Sequence, residues 1–423
     1  MNLELKYGTG TVAVQIPESA DGHVLEPNDI PPVSSISQAL SDALAELAEP
    51  DQELLTGVRN SPAVVIAIPD ETRPLPVKKL VPTLLDWLVA KIPDLDLGRV
   101  TILIGGGLHP PLDLETMTRL MPDNIARGCT VAAHDANNSP MVDFGYTSRG
   151  TPVLVNSIIA EADLKIVVGQ IDPHQFVGFT GGSKGIIIGC GGAATIEHNH
   201  SLMFHDKACV GMLHGNPVRE DINEAGEMVG INLAINVIMA PSKEVVQILA
   251  GRPLDLLIEG AKICAALYGV AIENEFDIVV ASCGGYPKDI CLYQAQKGLN
   301  LASQAVKKGG HILLLAASTQ GVGDDVYFDY VSQFTSPEEV LQDFKKQGFR
   351  MGAHKAYLFG RTLDQFDVAI CSELDPGVLQ KCHLRAADPS EIISEWVENF
   401  DGRPRIGIIP NANTTYFYQQ EQQ

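Results

Sequence analysis

The sequence predicts an α/β protein of two domains, each with a mainly parallel sheet flanked by helices. Three observations carry that expectation. Short apolar runs alternate with longer amphipathic ones along most of the 423 residues. Residues able to do chemistry stand immediately after the apolar runs, where open α/β sheets bind ligands. The length is that of two ordinary domains, and the polar stretch Glu273-Asn-Glu separates two runs of alternation.

Taken in order, the first thirty residues carry turn residues and short alternating runs, the pattern of a small antiparallel piece. Strands are expected at 63–68, 100–104, 129–133, 164–168, 233–239, 276–281, 312–316, 366–370 and 405–409. Helices are expected at 37–48, 114–121, 253–268, 293–307, 337–346 and 389–399. A helix ending at Tyr268-Gly marks a boundary, giving domains 1–270 and 271–423. No internal repeat or low-complexity segment is present.

Composition excludes several classes. The net charge of −22 argues against nucleic acid or an anionic membrane as partner, because both need a basic face. The most apolar run, 185–196, is too short and too glycine-rich to span a bilayer. The N-terminus has no basic region followed by an apolar stretch, so no signal peptide is expected. Eight scattered cysteines without a Cys-x-x-Cys pair read as reduced thiols of a cytoplasmic protein.

The chemistry collects after the strands. Run 63–68 leads into Pro69-Asp70-Glu71-Thr72-Arg73, run 100–104 into Gly105-Gly-Gly-Leu-His109, and run 164–168 into Gln170-Ile-Asp172-Pro-His174. One Asp or His in such a loop more often caps a turn than catalyses. Three in parallel positions would build one site at one sheet edge. Lys184 follows in Gly178-Phe-Thr-Gly-Gly-Ser-Lys184-Gly-Ile-Ile-Ile-Gly-Cys-Gly-Gly192, a run whose glycines would let the backbone approach an anion closely. The Walker pattern fails there, since Ser183 precedes the lysine and Gly185 follows it. His198-Asn-His200 and His205 do not match His-Glu-x-x-His. In the second half, Gly284-Gly-Tyr-Pro287 precedes Tyr293-Gln294-Ala-Gln-Lys297. Gln294 and Lys297, three apart, share a helical face and suit a carboxylate, or form a plain solvated face.

These motifs, ordered from about residue 60 to 300, resemble the nickel-pincer lactate racemase family. Asp70-Glu71-Thr72-Arg73-Pro-Leu-Pro76 is similar to its first cofactor-binding motif, and Gly107-Leu-His109 to its first catalytic histidine. His174 and Phe179-Thr-Gly-Gly-Ser-Lys184 are similar to its second histidine and cofactor-anchoring lysine; Asn199-His200-Ser is similar to its nickel ligand. Gly284-Gly-Tyr-Pro with Tyr293, Gln294 and Lys297 is similar to its substrate-binding segment.

The resemblance implies an active site in the interdomain cleft and a pyridinium-3,5-bisthiocarboxylic acid mononucleotide joined to Lys184. Nickel would be held by that cofactor's carbon and two sulfurs and by His200, a donor set suited to Ni(II). It implies racemisation or epimerisation of a 2-hydroxy acid. A histidine takes the hydroxyl proton, hydride leaves Cα for the cofactor, and a planar 2-keto acid accepts the hydride back on either face. His109 and His174 would serve one enantiomer each. Asp70, Glu71, Thr72 and Arg73 would hold the nucleotide; Tyr293, Gln294 and Lys297 would hold the substrate. Separate biosynthetic proteins would load the cofactor, and a homo-oligomer is left open.

Three positions depart from the family pattern. Pro110 and Ser183 stand where lactate racemases carry Arg, and Gly352-Ala-His354-Lys355 replaces a stretch with a pocket-lining Trp. Such changes suit a larger or more polar 2-hydroxy acid than lactate. Two other readings compete. One is a zinc- or iron-dependent hydrolase or lyase using Asp172, His174, His198 and His200. The other is a non-catalytic small-anion or nucleotide-binding protein using the glycine run alone.

Overall fold

A computed structural model describes residues 1–47, 61–121 and 128–419. The chain divides into two compact units, Asp29–Leu267 and Met1–Asn28 with Tyr268–Gln423.

The unit Asp29–Leu267 is built on a six-stranded sheet. Its order is Val245–Gly251, Leu233–Met239, Leu164–Gln170, Val64–Pro69, Val100–Gly105 and Thr130–Ala133. All neighbours are parallel except the Val245–Gly251 edge, which runs antiparallel to Leu233–Met239. The central strands are apolar throughout, as strands covered on both faces must be. Leu80, Leu84 and Leu88 of helix Val77–Lys91 pack on Ile66, Ile102 and Ile166, with Leu40 and Leu44 of helix Ile36–Ala45 beside them.

The other unit has a six-stranded parallel sheet. Its order is Arg385–Ala386, Asp367–Cys371, Val306–Leu315, Phe276–Ser282, Arg405–Ile409 and Asp21–Val24. A hairpin, Asn2–Tyr7 with Gly10–Gln15, lays Leu5 and Val14 on its core together with Trp396 and Ile393 of helix Pro389–Glu398.

Strands Leu233–Met239 and Arg405–Ile409 and helix Pro253–Tyr268 match the expected ranges, and most others agree within a residue or two. Three differences have identifiable causes. Residues Met1–Asn28, read from the sequence with the first domain, join the second unit, because Asp21–Val24 pairs with Arg405–Ile409. No local signal announces a partner almost four hundred residues away. The helix expected at 293–307 stops at Ala302, and the sheet strand starts at Val306, earlier than residue 312. Helix Val77–Lys91 escaped prediction because Pro82 lies inside it, which breaks the usual helix signature. The end of the expected helix at 37–48 lies outside the described residues. No helix among the described residues is long and apolar enough to cross a membrane.

Candidate active site

Strands Val64–Pro69, Val100–Gly105 and Leu164–Gln170 are parallel neighbours, so the loops after Pro69, Gly105 and Gln170 leave the same sheet edge. Asp70, His109 and His174 therefore follow three adjacent strands on the same side of the sheet.

Asp70 is buried and opens a turn in which its Oδ1 accepts the Thr72 hydroxyl at 2.5 Å and the Thr72 N–H at 3.2 Å. Its Oδ2 lies 2.7 Å from Nδ1 of the half-exposed His109. A carboxylate only accepts, so Nδ1 of His109 carries a proton, and in the neutral ring it is Nε2 that keeps its lone pair. Burial works against ionisation of Asp70, but the hydrogen bonds from His109 and Thr72 hold its carboxyl below the usual range. Both Asp70 oxygens therefore have partners within the protein, one of them a candidate catalytic group. Of its neighbours in the motif, Glu71, Thr72 and Arg73 are exposed, and Glu71 pairs with Arg119 at 2.6 Å.

The glycine run is threaded through this edge. The Gly107 N–H donates to the Gly189 carbonyl at 2.9 Å, joining the His109 loop to the Lys184 segment. Gly181 and Gly182 have φ of +90° and +56°, a left-handed pair that only glycine adopts readily, and the Gly182 N–H donates to Asn236 Oδ1 at 2.8 Å. The fully buried Arg219 anchors the turn from below, donating to the carbonyls of Val177, Phe179 and Gly181. The glycines after the lysine have a different cause from the anion approach expected of them. A Cβ on Gly185 would stand 2.5 Å from Val167 Cγ2, and one on Gly189 would stand 2.2 Å from the Gly185 carbonyl. They let the short helix Lys184–Ile187 lie directly on strand Leu164–Gln170. The half-buried Lys184 amine is pushed down to about 7, by burial first and then by the positive charges of Arg73 and Arg219. Such an amine is substantially neutral, and nucleophilic, near neutral pH.

His174 sits in a two-residue bridge, Pro173–His174 against Gly178–Phe179. Its Nδ1 accepts the Val177 N–H at 3.3 Å, which sets the proton of the neutral ring on Nε2. Phe176 stands edge-on to His174 at 4.6 Å and to His200 at 5.2 Å. His200 lies on helix Ala193–Ser201 and is buried, with Nδ1 3.2 Å from Asn199 Oδ1. Asn199 in turn donates to buried Asp221 at 2.8 Å, and Asp221 also takes the hydroxyls of Thr147 at 2.5 Å and Thr151 at 2.8 Å. Sequence reasoning missed Asp221 and Arg219. Helix Pro217–Val229 carries both, capped by Asn216 and ended by the left-handed Gly230. The Asn-Pro start and the Gly stop were its available signals.

Asp172 bonds to Gln170, and His198 faces the Arg149 carbonyl at 3.3 Å. Among the described residues, no three His, Cys, Asp or Glu side chains converge as a metal-binding group. A protein-only zinc or iron centre therefore lacks its ligand set there. One well-oriented imidazole, His200, suits a metal whose other donors come from a bound group.

In the other unit, Tyr293, Gln294 and Lys297 occupy the first turns of helix Leu292–Ala302. Gln294 is exposed, while Tyr293 and Lys297 are half-buried. Burial and the nearby Asp324 push the Tyr293 hydroxyl up to about 12, so it stays a donor. Lys355 Nζ lies 5.1 Å from the Tyr293 ring centroid.

Residues 7–211 match the lactate racemase N-terminal domain and residues 272–413 the lactate racemase C-terminal domain. The lactate racemase of Lactiplantibacillus plantarum is 28% identical over 424 residues, 97% of this chain and 98% of its own. That of Thermoanaerobacterium thermosaccharolyticum is 28% identical over 356 residues, 82% of each chain. The apoprotein structure of the lactate racemase from Thermoanaerobacterium thermosaccharolyticum superposes with a TM-score of 0.88 at 26% identity, over 99% of this chain and 100% of that one. A protein from Thermotoga maritima shares the fold with a TM-score of 0.63 at 17% identity, over 93% of this chain and 100% of its own.

Proposed function

The chain belongs to the lactate racemase family of isomerases, and on that premise we propose that it interconverts the configurations at Cα of a 2-hydroxy acid. One observation carries the reading. His109 and His174 leave one sheet edge with opposite ring settings, a carboxylate behind Nδ1 of the first and a backbone N–H behind Nδ1 of the second. His109 thus offers an accepting Nε2, and neutral His174 a proton on its Nε2. Racemisation through a planar 2-keto acid needs a base for the hydroxyl of each enantiomer, and each turnover exchanges which histidine holds the proton.

The remaining residues are assigned to match. A nickel-pincer nucleotide is the cofactor of this reading; when bound, it supplies a hydride acceptor for the Cα hydrogen. Lys184 would hold it covalently, a role its lowered amine suits, and His200 would be the protein ligand to nickel. Arg73, exposed and acting electrostatically on Lys184, fits the nucleotide phosphate, with Thr72 and Glu71 beside it. Asp70 keeps His109 in the accepting tautomer. Lys297 and Gln294 fit the substrate carboxylate, and the Tyr293 hydroxyl donates to a substrate oxygen. Loading requires cofactor-making proteins as partners. Cytoplasmic residence accords with the scattered free cysteines.

The test is intact mass, nickel content and chiral analysis on protein produced alongside the cofactor-making enzymes. The reading expects an adduct mapped to Lys184, nickel near one per chain, and inversion of at least one 2-hydroxy acid. Unmodified Lys184 under conditions that load a known family member would overturn it.

A further inference from the structure

Phe176 meets both the proposed base His174 and the proposed metal ligand His200. Its ring centroid lies 4.6 Å from that of His174 and 5.2 Å from that of His200, at interplanar angles of 89° and 73°. The phenyl ring is buried. Its backbone is pinned from behind, since the Phe176 carbonyl accepts Nδ2 of the fully buried Asn216 at 3.0 Å. Asn216 Oδ1 accepts the Val218 and Arg219 N–H groups at 3.1 Å and 3.3 Å and so caps helix Pro217–Val229. The same helix start holds the His200 segment, where the Val218 carbonyl accepts Asn199 Nδ2 at 3.0 Å. One helix end therefore fixes both histidine-bearing segments, with Phe176 packed against each imidazole.

The chemistry gives that contact a consequence. An imidazole ligates a metal through the lone pair that would otherwise take a proton. A histidine drawn onto the metal is lost as a base. From the placing of one phenyl ring against both imidazoles, we propose that Phe176 is a spacer, a positioning residue that keeps His174 off a metal held at His200. The inference rests on the racemase reading above and deepens it. A phenyl ring carries no lone pair for a metal. Buried among these contacts, it cannot be pushed aside without opening the close-packed interior.

The first experiment needs no cofactor. Cobalt(II) is titrated into cofactor-free wild type, Phe176→Ala, Phe176→Val and Phe176→Leu and read by its visible absorption, with a thermal melt of each protein. The Ala and Val side chains should let both imidazoles reach one ion, raising affinity roughly tenfold or more over wild type. That gain should vanish when His174→Ala or His200→Ala is added. Phe176→Leu, which fills most of the space, should bind cobalt no better than wild type. In loaded enzyme, His174→Ala should lower kcat roughly 10²- to 10⁴-fold on the wild-type background. On the Phe176→Ala background it should lower kcat less than about threefold, because the metal already holds that imidazole. Two smaller variants guard against one that fails to fold. A lower Tm without tighter cobalt binding would reduce Phe176 to packing and overturn the assignment. Additive kcat losses in loaded enzyme would overturn it too, and either result leaves the racemase reading standing. Loaded wild type that inverts no 2-hydroxy acid would overturn the racemase reading, and this inference with it.

Discussion

Asp70 and His109 form a carboxylate–imidazole pair, Oδ2 to Nδ1 at 2.7 Å, with the carboxylate almost entirely buried and the imidazole half-exposed. The arrangement fixes the ring tautomer from the protected side and leaves the working nitrogen on the open side. Asp70→Asn keeps the shape but can reverse the hydrogen bond and so the tautomer. In loaded enzyme, kcat should fall roughly 10- to 100-fold while KM changes little, and His109→Ala should lose roughly 10²- to 10⁴-fold. If Asp70→Asn instead weakened cofactor retention at unchanged kcat, Asp70 would be a nucleotide contact, as its motif first suggested.

Lys184 yields a pH prediction that needs no cofactor. Its amine is pushed down to about 7, whereas an exposed lysine titrates near 10.4. Reductive methylation of cofactor-free protein, read by peptide mass, should half-saturate at Lys184 near pH 7 and at surface lysines much higher. Arg73→Gln removes one of the two neighbouring charges and should move the Lys184 midpoint upward. Between these two pH values the unfolded chain binds the proton that the folded chain refuses, so this group's contribution to stability rises with pH. A Lys184 midpoint indistinguishable from surface lysines would remove the case for a preactivated amine.

Packing around the lysine gives a stability prediction. In Gly185→Ala, the new Cβ would meet Val167 Cγ2 at 2.5 Å on the rigid sheet. Overpacking of this kind costs about 1–3 kcal/mol. For a unit of this size, each kcal/mol lowers Tm by roughly 2–4 °C, measurable by calorimetry on cofactor-free protein. Gly251→Ala, in the same unit, is the control for a general glycine effect on melting, since its backbone is not left-handed and a Cβ there would meet nothing nearer than Leu256 Cβ at 3.9 Å. A melt of Gly185→Ala at the wild-type temperature would contradict the packing account.

Much of the fold was legible because its strands are short apolar runs and its chemistry stands directly after them. Asp70, His109 and His174 reach one edge because their strands are sheet neighbours, which the α/β alternation alone anticipates. What stayed hidden depends on long-range pairing or on partners. The Asp21–Val24 strand has meaning only against Arg405–Ile409. The contact of Asp70 with the His109 ring, thirty-nine residues on, is not readable from its motif. The glycines around Lys184 look like an anion cradle in one dimension, yet Gly185 and Gly189 answer to steric contacts with Val167 and with each other. Arg219 and Asp221 sit on a polar-looking helix, and only the structure shows them fully buried beneath the turn and His200.

Asp221 supports the last prediction. It is 1% exposed and takes three donors, the hydroxyls of Thr147 and Thr151 and the amide of Asn199, which in turn faces His200 Nδ1. Asp221→Ala strands those donors in the interior and should cost about 2–4 kcal/mol, seen as a lower Tm of cofactor-free protein. It should also loosen the orientation of His200. If His200 ligates nickel, loaded Asp221→Ala should hold the metal roughly 10- to 100-fold more weakly, read by nickel loss to a chelator with the adduct at Lys184 intact. Asn199→Ala, which removes the link but leaves Asp221 its two threonines, should reproduce the nickel loss with a smaller change in Tm. A lower Tm with unchanged nickel retention in both variants would confine the network to holding the helix in place. Nickel loss in Asn199→Ala would identify the chain from Asp221 through Asn199 as what orients the ligand.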